Sequence, residues 1–550
     1  MRLSFLVAAA LVSASLAACA TTEVAAPAAF SAERMSDHVR VLSDDAFEGR
    51  GIATPAEDRV IAYLSQQYAE AGFEPGGENG GWTQAVTLNR FTVSNARAAF
   101  RAGDETVPLT VGSQIVLSTR LPGDHVMLTD TPLVFVGYGT TAPERQWDDF
   151  KDVDVRGKII VVLVNDADFE QPELNTFNGR AMTYYGRWTY KYEEAARRGA
   201  AGVILVHETA PASYGWATVN NSWSGPQFDI VRANAAAERV RMESWIQRDV
   251  AVDLFRRAGL DFEAQKVAAR SRDFRPVALD GVTFSGMFDV ATQQITTHNV
   301  IARLPGAAHP DETILYTGHW DHIGMGAPNA EGDAIFNGAV DNASGTAGLL
   351  EIARMFGAGP RPDRSIVMIS FTAEESGLLG SEYYAANPLY PLETTVAGFN
   401  LDAMNVYGRL SRLGVTGYGQ SQLDERLAEA AALQGRELAP DLNNAAGTYF
   451  RSDHFPLAKR GVPMAYPKGA GDFRDEPVAR RIAARDDYGA NRYHQANDEW
   501  SPEMDFTGAV EDLEVVHLIG LELANSRDWP EWKPESEFGP VRRNSAAARR

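Results

Sequence analysis

Apolar residues recur along this chain with two different periods, and the period changes from one block to the next. Between Asp58 and Ala71 they return every three or four positions, which predicts an amphipathic helix. The apolar runs at 132–139 and 158–164 are short and bounded by Gly or Asp, which is typical of strands. Residues 192–206 then predict a helix, a glycine stop and a buried strand.

From residue 299 onward, short apolar runs alternate with segments of helical spacing. The runs predict strands at 299–304, 313–318, 365–371 and 396–401. The helical segments are 344–356, with Ser344 as a capping residue, and 377–386. Strands separated by helices of this length predict an α/β fold with a mostly parallel central sheet flanked by helices.

Composition and charge exclude several classes of protein. The chain has 550 residues, of which 45% are hydrophobic and 23% charged, which is typical of a globular protein. Its 73 Asp and Glu residues outnumber 51 Lys and Arg, so the formal charge is −22 and opposes binding to nucleic acid. One cysteine excludes an internal disulfide and a thiolate metal cage.

The N-terminus has the pattern of an export signal. Arg2 is followed by an apolar run and then small residues, which predicts a signal peptide over residues 1–18. The segment Leu16-Ala-Ala-Cys19 resembles the lipobox of bacterial lipoproteins, so Cys19 is the predicted lipidation site. We therefore expect an exported cell-envelope protein, an outer-membrane lipoprotein facing the periplasm or the exterior, held to the membrane by its lipid alone. The alternative is a plain signal peptide cleaved at the nearby small residues.

Acidic and histidine side chains follow the predicted strands of the second half. In open α/β sheets, ligands bind beyond the carboxyl ends of the strands, so we expect these side chains to share one crevice. They are His319, Asp321, Asp341, Glu374, Glu375, Asp402 and His494. His322 and His454 are interpreted as structural residues or as partners of the ligands.

This set of donors indicates a catalytic metal centre. His, Asp and Glu without Cys suit Zn²⁺ or another divalent ion that keeps positions open for water. Two neighbouring ions need a carboxylate between them, because two dications repel each other. Adjacent Glu374 and Glu375 fit two tasks, one as a ligand and the other as a base that takes a proton from water.

The order and spacing of these residues resemble peptidase family M28, the co-catalytic zinc peptidases that include bacterial aminopeptidases. The segments at 42–51 and 461–463 also fit this family. The block at 124–284 resembles the protease-associated (PA) domain that many members carry, through Gly137-Tyr-Gly, Gly157-Lys-Ile and Gly199-Ala-Ala-Gly. The resemblance implies a zinc-exopeptidase-like, phosphorylase/hydrolase-like fold with this smaller β-rich domain inserted.

The resemblance also implies a role for each residue of a centre with two Zn²⁺ ions, other divalent metals being possible. His319, Asp341 and Asp402 would hold one ion, and Asp341 would bridge to a second ion that Glu375 and His494 complete. The resemblance also implies that Glu374 is the general base. Asp321 would orient His319 by accepting its other ring N–H, and the hydroxyl of Tyr493 would help to stabilise the oxyanion.

The family places substrate-pocket residues at Arg451, Ser452 and Asp453. Arg451 has two possible roles. It can bind a substrate carboxylate, or it can pair with Asp453 in a structural ion pair.

These interpretations together predict the domain organisation of the chain. It comprises a signal peptide (1–18), a lipid-anchored tether (19–30), a catalytic domain in two parts (31–123 and 285–530), an inserted PA domain (124–284) and a loose tail rich in Pro, Glu and Arg (531–550).

The predicted activity is hydrolysis of N-terminal residues from peptide substrates by a zinc aminopeptidase. Acidic groups near the metals and an acidic protein favour a free amine there. A carboxypeptidase or dipeptidase of the same family is the main alternative, since it needs only a changed pocket. A glutaminyl cyclase-like acyltransferase with one zinc and a receptor-like binding protein without ligands are further alternatives.

Overall fold

The computed structural model describes residues 28–440 and 444–549. The predicted signal peptide and Cys19 lie outside the described residues. Within them, one large sheet of 16 strands extends through both halves of the protein.

Four neighbouring parallel strands form the centre of the half of the sheet that the second half of the chain supplies. In order across the sheet they are Met464–Phe473, Thr395–Asn400, His309–His319 and Arg364–Phe371. The strand Leu410–Thr416 pairs antiparallel with the first, and Glu437–Pro440 extends that edge. Arg364–Phe371 and Thr395–Asn400 are buried along their whole length, as strands covered on both faces must be. The predicted α/β fold with a parallel central sheet is confirmed.

Helices cover both faces of this part of the sheet. They are Ala32–Leu42, Pro55–Glu70, Ser344–Ala358, Leu379–Ala386, Leu423–Leu433, His454–Lys459, Val478–Asp487 and Thr507–Ala524. The helix predicted at 58–71 begins at Pro55 and buries Val60, Leu64 and Tyr68. Ser344 begins its helix without capping it, because its hydroxyl donates to the carbonyl of Val340. Within the described residues, no helix combines the length and the apolar character needed to cross a membrane.

The other half of the sheet forms a second parallel unit. Its strands are His125–Phe135, Ile159–Leu163, Gly202–His207 and Met242–Gln247, with Ile115–Ser118 antiparallel at the edge. Its longer helices are Trp188–Arg197, Trp216–Ser224, Arg248–Arg257 and Phe262–Ala268. Two hydrophobic clusters join these elements and draw on residues from Phe91 to Val290. We call this half the middle unit.

Two long antiparallel strands connect the halves. Thr83–Ala102 and Val277–Leu304 pair along most of their length, and the second strand also pairs with Arg364–Phe371. Shorter strands lie at Glu74–Pro75, Glu105–Leu109 and Gln227–Ile230. Because Val277–Leu304 pairs with His125–Phe135 of the middle unit as well, one continuous sheet joins the two halves.

The C-terminal segment is ordered, so the expectation of a loose tail at 531–550 is wrong for its described residues. Trp532 is buried and donates its indole N–H to the carbonyl of Gly461 at 3.0 Å. A helix follows at Gly539–Asn544, and its buried Arg542 donates to the carbonyls of Thr395 and Val396. The prediction failed because it rested on the abundance of Pro, Glu and Arg, whereas a few side chains of the segment are anchored by tertiary contacts.

Candidate metal centre and substrate cleft

The candidate ligands lie where the central strands end. His319 is the last residue of its strand, Asp402 follows Thr395–Asn400, and Glu374 with Glu375 follows Arg364–Phe371. Because these three strands are parallel neighbours, their carboxyl ends meet at one edge of the sheet. Asp341 and His494 reach the same edge from irregular segments before a helix and after one.

Two groups of ligand atoms share Asp341. The Nε2 atom of His319 lies 3.3 Å from Oδ1 of Asp341 and 3.4 Å from Oδ1 of Asp402. The Nε2 atom of His494 lies 3.1 Å from Oδ2 of Asp341 and 3.4 Å from Oε2 of Glu375. The two oxygens of one carboxylate therefore face two different histidines, the arrangement that a bridging ligand requires.

Two further side chains lie within ligand range. Ligand atoms of His319, Glu374 and Asp402 all lie within 4.8 Å of one another, and so do those of His322, Asp341 and Glu375. Thus Glu374, assigned from sequence as a base, and His322, interpreted as a partner of the ligands, both border the centre directly.

Unpaired buried atoms show that the donor set suits a cation. Both ring nitrogens of His322 and Oε1 of Glu375 are buried without a hydrogen-bond partner among the described residues. Nδ1 of His322 lies 2.7 Å from that oxygen, but not in the orientation of a hydrogen bond. Buried polar atoms are normally satisfied, and an imidazole with several carboxylates matches the preferences of a divalent transition metal.

The electrostatics of the centre reflect its excess of carboxylates. Burial and the neighbouring charge of Glu375 raise the pKa of Glu374 well above its ordinary value. Burial would lower the pKa of His319, but the carboxylates around it outweigh this and raise it. Burial would likewise raise the pKa of Asp341, but the hydrogen bonds to His319 and His494 hold it well below its ordinary range. Asp341 is thus ionised and ready to ligate.

Asp321 contacts His319 through its backbone and the following loop through its side chain. Its carbonyl oxygen lies 3.1 Å from Nδ1 of His319, whereas its carboxylate lies 3.8 Å from that nitrogen. The carboxylate accepts from the backbone N–H groups of Glu374 and Glu375, at 3.1 and 3.4 Å. The acceptor that faces the His319 ring is therefore the Asp321 carbonyl, because two converging amides hold the side chain.

Two supporting residues were not assigned from sequence. The carboxylate of Asp498 accepts from the backbone N–H groups of Val340 and Asp341 and so holds the bridging segment. Its signal was its position in the same polar segment as His494. Arg50 is buried and donates to the carbonyls of four residues, so it holds together the segments next to the centre. Those carbonyls belong to Leu42, Trp320, Asn337 and Gly338.

Two of the three predicted substrate-pocket residues lie behind the centre rather than in the cleft. Ser452 is buried, donates to Oδ2 of Asp402 at 2.6 Å and accepts from the side-chain amide of Asn400 at 2.7 Å. Asp453 is fully buried, and burial raises its pKa to about 7. Arg451 makes no ion pair with Asp453, so the structural-pair reading is wrong. Its guanidinium donates to Ser213 Oγ and the carbonyl of Ala446.

A cavity of about 320 Å³ opens from the metal centre toward the middle unit. Glu374, Glu375 and His494 line one end, and the Tyr493 ring stacks on His494 with centroids 3.9 Å apart. Arg187 and Trp188 of the middle unit line the same cavity, as does Arg451. The middle unit thus completes the cleft, and its residues were not assigned to the site from sequence.

Comparisons with known proteins concern mainly the second half of the chain. Residues 299–515 match the model of peptidase family M28, and this segment contains every predicted ligand. The chain is 41% identical over 113 residues to Aminopeptidase NAALADL1 of Mus musculus, covering 20% of this chain and 14% of the mouse protein. It is 42% identical over 108 residues to a probable zinc metalloprotease of Pyrenophora teres f. teres (strain 0-1), covering 20% and 22%.

Among solved structures, the aminopeptidase from Aneurinibacillus sp. strain AM-1 aligns with 91% of this chain and 95% of its own, at 21% identity and a TM-score of 0.49. The chain aligns with less than a quarter of the length of the two curated relatives. The predicted resemblance to family M28 is supported for residues 299–515.

The contact between Ser452 and Asp402 generates a prediction. Ser452→Ala removes the donor that orients this candidate ligand, so affinity for zinc should fall by about 10- to 100-fold. Titration against a chelator of known affinity measures the change. Ser370→Ala is the matched control, because Ser370 is also buried but bonds only to Tyr68. Equal zinc affinity in the two variants would contradict the positioning role.

Proposed function

We propose that this protein is a two-zinc exopeptidase that removes N-terminal residues from peptides. The observation that carries the proposal is the position of Asp341, whose two carboxylate oxygens face His319 and His494 separately. The match of residues 299–515 to family M28 and the relatives named as zinc metalloproteases support the same reaction class.

In this proposal each ion has three protein ligands. His319, Asp341 and Asp402 hold one ion, while Asp341, Glu375 and His494 hold the other. Zinc bound there supplies Lewis-acid chemistry, polarising the scissile carbonyl and favouring ionisation of water. The protein contributes rigidity, since Asp498 fastens the backbone at Asp341 and Ser452 fixes Asp402.

Glu374 is the proposed general base. Its carboxylate lines the cavity beside the proposed ligands, where it can accept a proton from the attacking water and then donate one to the departing amine. Its backbone is held through Asp321, so the carboxylate can face the cleft without moving its loop. Tyr493 borders the same cavity, and its hydroxyl is the proposed donor to the carbonyl oxygen in the transition state.

The roles of Glu374 and Glu375 are separable by experiment. Glu374→Gln should retain about two zinc ions per chain while turnover falls about 10²- to 10⁴-fold, because a base is lost and the ligands remain. Glu375→Gln, the matched control at the adjacent position, should lose zinc because a neutral amide is a poor ligand. Metal analysis and turnover of both variants are the measurements. Loss of zinc from Glu374→Gln would make this residue a ligand instead.

The end of the peptide that is recognised follows from charge. Carboxylates around the metals favour an N-terminal ammonium group, which supports an aminopeptidase. A carboxypeptidase or dipeptidase is the second candidate, because Arg451 lines the cleft and has no carboxylate partner among the described residues.

We expect hydrolysis of an amino-acid anilide with a free α-amine, and its loss on N-acetylation, because acetylation removes the charge that the carboxylates attract. Release of the aniline chromophore measures both. Equal cleavage of an N-acetylated peptide, abolished by C-terminal amidation, would instead establish the carboxypeptidase alternative.

The chain around the catalytic part is proposed to be an export and targeting arrangement. Cys19 would carry the lipid that anchors the protein in the cell envelope, and the block at 124–284 would be a PA domain. Support for the anchor comes from the Leu16-Ala-Ala-Cys19 sequence, and support for the domain from its glycine-bounded segments.

Cys19→Ala should release the protein from the membrane fraction while peptidase activity is retained, because anchor and centre are separate in the chain. Fractionation with a salt wash, followed by an activity assay of each fraction, tests this. Continued sedimentation of the variant with membranes would contradict lipid anchoring.

A further inference from the structure

Arginines that are buried in this protein almost always have acceptors. Five arginines are buried among the described residues: Arg50, Arg187, Arg364, Arg436 and Arg542. Arg50 and Arg542 donate to backbone carbonyls, Arg364 to Glu312 and two carbonyls, and Arg436 to Asp512 and Gln434. Such contacts are what a guanidinium requires when it is removed from water.

Arg187 is the exception. Its side chain is 8% exposed, yet its guanidinium makes no hydrogen bond or ion pair with any described residue, and Nε is buried without a partner. It lines the cavity that also contains Glu374 and Glu375. Burial and the nearby positive charge of Arg451 lower its pKa to about 10, so it remains a cation near neutral pH. The protein thus holds an uncompensated positive charge at the wall of its cleft.

The other cations of this cavity are neutralised. Arg232 and Arg239 both pair with Asp229, at 3.0 and 2.7 Å, and Lys459 pairs with Glu193 at 3.1 Å. Arg120 pairs with Glu243. Against this background, cations of the cavity lack a carboxylate partner among the described residues in one place, where Arg187 and Arg451 lie together.

Arg451 completes the pair from outside the middle unit. Its guanidinium is exposed, donates only to Ser213 Oγ and the Ala446 carbonyl, and lies 5.9 Å from the ring centroid of Tyr214. Neither acceptor carries a charge. Two guanidinium groups repel each other, so an anion between them would relieve both the repulsion and the unmet hydrogen bonds.

We propose that Arg187 and Arg451 form a carboxylate-binding subsite of the cleft and direct the protein toward substrates that carry a negative charge beside the scissile bond. The two oxygens of a carboxylate can accept two parallel N–H hydrogen bonds from one guanidinium group. The inference rests on the proposed peptidase function and names its substrate class. The charge can come from the C-terminal carboxylate of a short peptide or from an acidic side chain.

Matched peptides distinguish these two sources. One pair is a tripeptide as its free acid and as its C-terminal amide, and the other is a tripeptide amide with Glu or Gln at the second position. All four keep a free α-amine. The carboxylate-bearing member of at least one pair should have a kcat/KM about 10- to 100-fold higher, the usual worth of hydrogen bonds to a charged group. The pair that responds identifies the source.

Arg187→Met keeps the length of the side chain and removes its charge, so the preference should collapse toward equality. Arg239→Met is the matched control, because it removes an arginine of the same cavity that Asp229 already neutralises and leaves Arg232 on that carboxylate. This control should keep the preference. Arg451→Gln provides a second test of the subsite should Arg187→Met fail to fold.

Calorimetry with Glu374→Gln, in which cleavage should be slow, gives a readout that does not depend on turnover. The carboxylate-bearing member of at least one pair should bind more tightly than its partner, and adding Arg187→Met should remove that difference. Equal kcat/KM within both pairs, equal binding within both pairs, or a preference that survives Arg187→Met would overturn the subsite. Failure to cleave any free-amine peptide, with carboxylate-dependent binding intact, would count against the proposed peptidase function alone.

Discussion

The concentration of carboxylates at one edge of the central sheet is the constraint on which the rest of the structure depends. Asp341, Glu374, Glu375 and Asp402 converge on His319 and His494. Like charges this close repel strongly unless cations separate them. The surroundings are built to hold that arrangement, because Asp498, Asp321 and Ser452 each use their hydrogen bonds to fix a ligand or its backbone.

The middle unit contributes positive charge to the same cavity. The ribbon formed by Thr83–Ala102 and Val277–Leu304 joins this unit to the rest of the sheet, and Arg187 lines the cavity that also contains Glu374. The cavity therefore combines the carboxylates of the candidate metal centre with an arginine that has no partner among the described residues, so its field acts on charges of both signs.

Errors in the sequence-based assignments share one physical origin. Asp321 and Ser452 were correctly associated with the centre, but their side chains make different contacts from those expected, with loop amides and with Asp402. Periodicity identifies elements and their ends, whereas the direction of a loop side chain depends on donors from distant segments. The tail at 531–550 was misjudged for the same reason, since Trp532 and Arg542 gain their partners only through tertiary packing.

The sequence by itself determined the α/β class, the strands and their ends, and the set of acids and histidines there, because parallel strands must present their carboxyl ends together. Only the tertiary structure decided that Asp341 stands between His319 and His494 and that Arg187 faces the same cleft from another part of the chain. The unmet charge of Arg187 has no signature in the sequence. Whether an arginine has a partner depends on which folded segments surround it, and local sequence does not encode those surroundings.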